Sequence, residues 1–285
     1  MSEPAASMTS IVGRLRAAGC VFAEDEARLL LAAALSAAAL DDMVAQRVSG
    51  LPLEQILGWA EFCGLRIIVT PGVFVPRRRT EIVVDQAVQV FLAERGARRG
   101  PPPVVVDLCC GSGAVGAGLA ARLPGLELYA TDIDLIAVAC ARRNITPDGV
   151  LLGDLYDPLP VELRGRIDLL VANAPYVPTD AISSMPPEAR LYEPMVSLDG
   201  GRDGLDLHRR ISSVAPQWLA PAGHLLIETS ERQAPLTAAM VAASGLTVRI
   251  ARSADLDGTV VIGRRSELPA GRALLDSVAQ EHNAG

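Results

Sequence analysis

The chain has 285 residues, a formal net charge of −7 and an apolar half. That length holds one large domain or two smaller ones around a substantial core, and the acidity argues against tight, non-specific binding to duplex nucleic acid, which needs a basic face. Five cysteines, odd in number and without a C-x-x-C pair, point to neither a disulfide framework nor a metal site and fit reduced thiols in a cytoplasm.

Residues 1–58 read as a small helical domain. Ile11, Leu15 and Ala18 share one face, and Gly19 stops that helix. Ala23 to Leu40 is dense in Ala and Leu behind an acidic first turn, and a third short helix covers Asp41 to Val48. Pro52 opens a helix that Gly58 ends. The most apolar run, Leu29 to Leu40, is 12 residues long, whereas a membrane span needs about twenty. No basic-then-hydrophobic leader precedes it, so the reading is of a soluble, cytoplasmic protein without a membrane partner.

Residues 59–103 form a connector. Glu61 to Val69 has strand character around Gly64, as a hairpin or bend. Pro71 to Glu81 then leads into a helix from Thr80 to about Glu94. The run Arg77-Arg78-Arg79 reads first as a solvated face or helix-terminus decoration and second as an anion or partner site. Gly96 to Pro103, with three consecutive prolines, is a linker.

From Val104 to about residue 265 the pattern alternates. Strands are expected at 104–108, 126–131, 150–152, 167–172, 224–229, 247–251 and 259–263, and helices at 114–122, 135–143, 205–219 and 233–243. Such alternation specifies an α/β fold with a mostly parallel, doubly wound sheet and helices on both faces. Residues 266–285 read as a short amphipathic tail.

Two strand ends carry the chemistry. After Val104 to Val106, the stretch Asp107-Leu108-Cys109-Cys110-Gly111-Ser112-Gly113 places a glycine-rich turn between strand and helix, where a ligand can approach the backbone. No Lys-Ser/Thr pair follows, which argues against a nucleoside-triphosphate loop. Asp132 ends the next strand, where a carboxylate can accept both ribose hydroxyls of an adenosine; the alternative is a cap for the helix near Asp134. Asp154 and Leu155 would lie beside an adenine as acceptor and apolar wall.

The second end is Asn173-Ala174-Pro175-Tyr176. Leu169 to Ala172 reads as a buried parallel strand, so Asn173 belongs at its carboxyl end. Pro175 pushes Ala174 into an extended conformation, so that the Asn173 side chain and the Ala174 carbonyl can converge on one NH2 group. A Pro-containing turn with Tyr for packing is the plain alternative.

With these residues in place, the chain resembles the class I S-adenosylmethionine-dependent methyltransferases, and among them the HemK/PrmC family that methylates glutamine in peptide-chain release factors. The resemblance covers roughly residues 50–265. It rests on Gln55-Ile56-Leu57-Gly58, on Val73 to Glu81 (family form near V-L-I-P-R-P-E-T-E), on Asp107 to Gly113, Asp132 and Asn173 to Tyr176 (family form N-P-P-Y), and most specifically on Glu193 to Leu205 (family form E-P-x-x-A-L-x-G-G-x-D-G-L). It implies a seven-stranded, Rossmann-like methyltransferase domain with an amino-terminal helical substrate-docking domain and a β-hairpin connector. It also implies S-adenosylmethionine as cofactor, with Cys109 to Gly113 around its methionine part, Asp132 at the ribose, Asp154 and Leu155 at the adenine, Asp107, Ile133 and Asn173 also among its binding residues, and Asn173 to Tyr176 holding the substrate amide. The implied activity is N5-methylation of a release-factor glutamine.

Three departures bear on substrate: Ala174 replaces a proline of the motif, Arg78 and Arg79 stand where the family has Pro and Glu, and Cys109-Cys110 replaces a Gly-Thr type pair. They are consistent with a divergent paralogue. Two other readings compete, namely N-methylation of a small metabolite or nucleobase, and an inactive cofactor-binding partner subunit. The latter predicts damage at Asp132 or Asn173, and both are intact. His208, His224 and His282 lack metal-ligand spacing and read as surface or structural residues, Trp59 and Trp218 as packing residues, and Glu228 as either a pocket residue or a cap.

Overall fold

The computed structural model describes residues 7–95 and 101–267; residues 96–100 of the expected linker, the tail beyond 267 and His282 lie outside them. Four helices open the described chain: α1 (Met8–Ala17), α2 (Ala23–Ala33), α3 (Ala37–Val48) and α4 (Leu53–Leu57). Ile11, Leu15, Ala27, Leu30, Leu40 and Val44 are buried against one another in a core of their own. The helix expected over Ala23 to Leu40 is broken. Ala34 turns extended, and the Ser36 side chain accepts from the Ala39 amide at 3.1 Å, capping a new helix. A serine that satisfies an orphan amide competes with helix continuation, and the break lets Leu30 and Leu40 face the same core.

The hairpin β1 (Trp59–Phe62) and β2 (Leu65–Ile68) follows, then α5 (Glu81–Arg95). Arg66 lies over the Trp59 ring at 4.1 Å, in keeping with a packing role for that tryptophan.

The remainder winds a seven-stranded sheet. Its strands are β3 (Val104–Leu108), β4 (Glu127–Asp132), β5 (Val150–Leu152), β6 (Ile167–Ala172), β7 (Leu219–Glu228), β8 (Thr247–Ser253) and β9 (Gly258–Arg264). The order is β5-β4-β3-β6-β7-β9-β8, with only β9 antiparallel to its neighbours. Helices α6 (Ala114–Arg122), α7 (Leu135–Ala141), α9 (Asp206–Trp218) and α10 (Ala234–Ala243) connect the strands, and a short α8 (Pro187–Tyr192), unmarked in the sequence pattern, lies between β6 and α9.

Strand side chains alternate between two cores. Val106, Leu108, Leu170 and Ala172 point to one face, and Val105, Leu169 and Val171 to the other. Burial on both faces makes these strands read as largely apolar runs, and each buried Val or Leu side chain among them contributes about 1.5–3 kcal/mol. Trp218 is buried in the first core and stacks on Tyr156 at 5.7 Å. Among the described residues no helix is long and apolar enough to cross a membrane.

The decisive register is between β3 and β6, where Leu108 pairs with Ala172. The chain leaves β3 toward β4 on one side, whereas β6 lies on the other, so the strand order reverses here. Such a switch point opens a crevice at the carboxyl ends of the strands, and the loops carrying Cys109–Gly113 and Asn173–Tyr176 emerge into it side by side.

Candidate active site

A cavity of about 680 Å³ opens at that crevice, within the range of roughly 300–1,000 Å³ for pockets that enclose drug-sized ligands. Its wall includes Asp107, Cys109, Cys110, Gly111, Ser112, Asp132, Ile133, Asp154, Leu155, Asn173, Ala174, Pro175 and Tyr176. Gly113, expected with them, does not line it. Its φ of +77° starts α6, and a Cβ there would sit 3.2 Å from the Ala141 Cβ, so this glycine serves the close approach of α7.

The β3 loop is held by its own left-handed turns and by the adjacent strand end and helix. Cys109 and Gly111 adopt φ of +56° and +55°. The Asp107 carboxylate accepts from the Gly116 amide at 2.9 Å, and burial pushes its pKa up to about 7. Asp132 Oδ2 accepts from the Gly111 amide at 2.8 Å and Oδ1 from the Asp134 amide at 2.9 Å. Helix α7 is capped by Asp134, which accepts from the Ile136 amide, so Asp132 is not that cap. Burial raises the Asp132 pKa, and the backbone amides of Asp134 and Gly111 oppose the rise. Asn144, unmarked in the sequence, donates to the carbonyls of Ser112 and Ile68 and ties the hairpin to this loop. Asp154 accepts from Arg210 Nη2 at 2.7 Å, so one of its oxygens is already engaged.

The β6 loop is held from a distance. Val177 pairs in a parallel bridge with Asp199; its amide donates to the Leu198 carbonyl at 3.0 Å, and its carbonyl accepts from the Gly200 amide at 2.9 Å. A Cβ at Gly204 would lie 2.3 Å from the Tyr176 carbonyl oxygen, and one at Gly200 would lie 2.8 Å from that of Pro175. Gln233 Nε2 donates to the carbonyls of Tyr176 and Asp203 at 2.9 and 3.2 Å. The Glu193-to-Leu205 motif is therefore a clamp on the Asn173–Tyr176 loop, glycine-rich because backbone meets backbone there. Neither Asn173 Oδ1 nor the Ala174 carbonyl receives a hydrogen bond from any described residue.

The arginine run is not a uniformly solvated face. Arg77 donates to the buried Glu193 at 2.5 Å and lies over the Phe74 ring, and Arg79 Nε lies 3.5 Å from Glu228 Oε1. Only Arg78 and Arg79 are exposed. Glu193 also accepts from the Val75 amide at 3.2 Å, which pins the 73–77 segment to the clamp. Glu228 is buried behind the loop and is no surface cap; Tyr176 donates to it at 3.3 Å, and burial pushes the Tyr176 phenol up to about 12. His208 and His224 are buried, and burial lowers the pKa of each to about 4.

A family model described as "Methyltransferase small domain" matches residues 64–185. The release factor glutamine methyltransferase of Geobacter sulfurreducens is 39% identical over 73% of this chain and 71% of its own length. The chain belongs to the release factor glutamine methyltransferase family. That of Bradyrhizobium diazoefficiens is 33% identical over 87% of this chain and 90% of its own length. A family relative with a different name, the 4-amino-L-phenylalanine/4-methylamino-L-phenylalanine methyltransferase of Streptomyces pristinaespiralis, is 37% identical over 71% and 69%. In fold, the chain is similar to the T. thermophilus 16S rRNA N2 G1207 methyltransferase in complex with AdoMet and guanosine (20% identity, TM-score 0.50, 73% of this chain and 49% of that one). The enzyme is thus a methyltransferase of this family, and its cofactor is S-adenosylmethionine.

The cavity fits that cofactor. A carboxylate stands at the end of β4, the β3 loop exposes backbone through left-handed turns, and apolar Ile133 and Leu155 lie near Asp132 and Asp154 in the wall.

Proposed function

We propose that this enzyme methylates the side-chain amide nitrogen of a glutamine in a peptide-chain release factor, in the cytoplasm. The observation that carries the reading is the pair of unused acceptors, Asn173 Oδ1 and the Ala174 carbonyl, in the wall of the cofactor cavity. An amide nitrogen is a poor nucleophile because its lone pair is delocalised. Two acceptors on its two hydrogens hold it and place it, and positioning of this kind supplies about 7–11 kcal/mol of a barrier. The bound cofactor supplies an activated methyl group on a sulfonium. Asp132 holds the ribose, Asp154 and Leu155 flank the adenine, the Cys109–Ser112 turn surrounds the methionine part, and the Tyr176 ring packs beside the acceptor. No strong base is required, since the amide proton can leave to water once the methyl is in place.

Ala174 serves as well as proline in this scheme, because its acceptor is a main-chain carbonyl. The helical segment 7–58 acts as the docking unit for the protein substrate. Its contacts with the rest of the chain support that: Gln55 Nε2 donates to the Val73 and Tyr192 carbonyls, and Arg47 Nη1 lies 3.3 Å from Glu188. This joins the helices to Val73, which lines the cavity, and to α8, which directly precedes the cavity residue Glu193.

The test is transfer of a labelled methyl group from S-adenosylmethionine to purified release factor, with Asn173→Ala as control. Label on the release-factor glutamine that disappears in the variant is the expected result. Cofactor binding without label would sink the release factor as substrate. A second reading, a small-molecule amine as acceptor, is favoured by the name of the Streptomyces relative, since an aryl NH2 presents the same two hydrogens; label on 4-amino-phenylalanine in place of release factor would establish it.

A further inference from the structure

One end of the cavity carries a contact that the proposed function leaves unused. Arg210, on α9, donates from Nη2 to Asp154 Oδ2 at 2.7 Å, and both residues line the cavity. The bond joins the turn after β5 to a helix that follows β6, 56 residues further along the chain.

The backbone of that turn is held on both sides of Asp154. The Gly153 amide donates to the Asp132 carbonyl at 2.9 Å, and a Cβ at Gly153 would lie 2.8 Å from Pro158 Cγ. Leu155 is left-handed, with φ of +50°, and its carbonyl accepts from the buried Thr131 hydroxyl at 2.8 Å. The Asp154 side chain, by contrast, is 37% exposed, and among the described residues the side-chain hydrogen bond that fixes it comes from Arg210.

The sheet gives this contact a use. Asp132 pairs with Leu152, just before Asp154, so a ribose held at the end of β4 sends its base outward over β5. An aspartate paired with arginine accepts and does not donate. With Oδ2 held by the guanidinium, Oδ1 is left to accept from the NH2 of an adenine, and it would oppose the carbonyl that hypoxanthine carries in the same place.

We propose that Arg210 is a positioning residue for cofactor selection, holding the Asp154 carboxylate so that its free oxygen selects adenine by its NH2 group. The proposal rests on the reading of Asp154 beside the adenine. An ion pair that only fastened α9 to the β5 turn would favour neither base.

The test is calorimetry, with no acceptor present, of S-adenosylhomocysteine against S-inosylhomocysteine, in which a carbonyl replaces the adenine NH2. The unsubstituted protein is expected to prefer the adenosyl ligand about tenfold to hundredfold, as for one hydrogen bond to a charged group. Asp154→Ala and Arg210→Met each bring the preference within about threefold, and the double variant loses no more than either single one. A preference unchanged in Arg210→Met, including an equal weakening of both ligands, would overturn the proposal. A preference unchanged in Asp154→Ala, or absent from the unsubstituted protein, would take Asp154 off the adenine and the proposal with it. Both side chains are partly exposed, so the variants are expected to fold; should Arg210→Met not fold, Arg210→Ala makes the same comparison. None of these outcomes depends on which molecule accepts the methyl group, so failure of the release factor as substrate is read separately, by the transfer assay.

Discussion

The two loops at the switch point occupy equivalent places, each leaving the carboxyl end of a buried parallel strand, yet they are held by different means. The β3 loop takes its shape from left-handed Cys109 and Gly111, Asp107 on the Gly116 amide, and the carboxylate of the adjacent strand end. The β6 loop has no glycine and is fixed by the clamp around Gly200 and Gly204, by Gln233, by Thr80 beside Asn173 and by Glu228 beneath Tyr176. In the proposed function the β3 loop binds an invariant small molecule, for which a compact turn suffices, and the β6 loop places a weak nucleophile, where small displacements lower the rate steeply and support from several elements counts.

The contrast breaks most severely at Gly204. Its φ of +78° and the 2.3 Å approach to the Tyr176 carbonyl leave no room for a side chain. Gly204→Ala is expected to lower methyl transfer by about a hundredfold or more, while a variant that still folds binds S-adenosylmethionine with near-normal affinity; calorimetry beside a methyl-transfer assay separates the two.

Asp132→Ala probes the other loop. Loss of a charged hydrogen bond of about 1.5–3 kcal/mol predicts roughly a tenfold to hundredfold weaker cofactor affinity, with the KM for the acceptor little changed at saturating cofactor. An equal effect on both affinities would erase the distinction between the loops.

His208 sharpens the comparison through pH. Its Nδ1 lies 2.9 Å from Thr237 Oγ1, its ring is 6.4 Å from that of Tyr176, and burial holds its pKa at about 4, below the ordinary 6.5. The unfolded chain therefore binds the extra proton first. The stability this neutral histidine contributes is present above about pH 6.5 and is lost as pH falls toward 4, by up to roughly 3 kcal/mol. His224, with the same depression, acts in the same sense, whereas Asp107, raised to about 7, acts oppositely. Comparison of variant and unsubstituted protein isolates the effect: His208→Phe is expected to show a shallower loss of the urea midpoint between pH 6.5 and 4.

The smallest effect belongs to Gly111→Ala. No atom lies within 4 Å of its Cβ position, so the cost to stability is the backbone strain of a left-handed residue, about 1–2 kcal/mol, measurable by urea unfolding. A cost as large as that at Gly204 would show that the β3 loop also depends on remote contacts.

Much of this architecture is legible from local pattern. Apolar runs at 104–108 and 167–172 mark the central strands to the residue because both faces of a parallel sheet are buried, and the alternation of strand and helix then fixes the fold class. Less of the helical region is legible, since the break at Ala34–Ser36 depends on one serine cap in an Ala/Leu-rich run. The arginine run shows the limit clearly. Three consecutive charges look alike in sequence, but Arg77 and Arg79 meet carboxylates that lie 116 and 149 residues away.

Short-range pattern alone is therefore enough for the strand ends and for the glycine-rich turn after β3. Tertiary structure alone decided that those ends stand side by side, through the Leu108–Ala172 register, and that the Glu193-to-Leu205 motif is a clamp. The physical reason is common to both. Strand register and close backbone approach depend on partners that local propensity does not encode, and chain folding brings these partners together across separations from 25 residues, at Gly200 and Pro175, to 64, at Leu108 and Ala172.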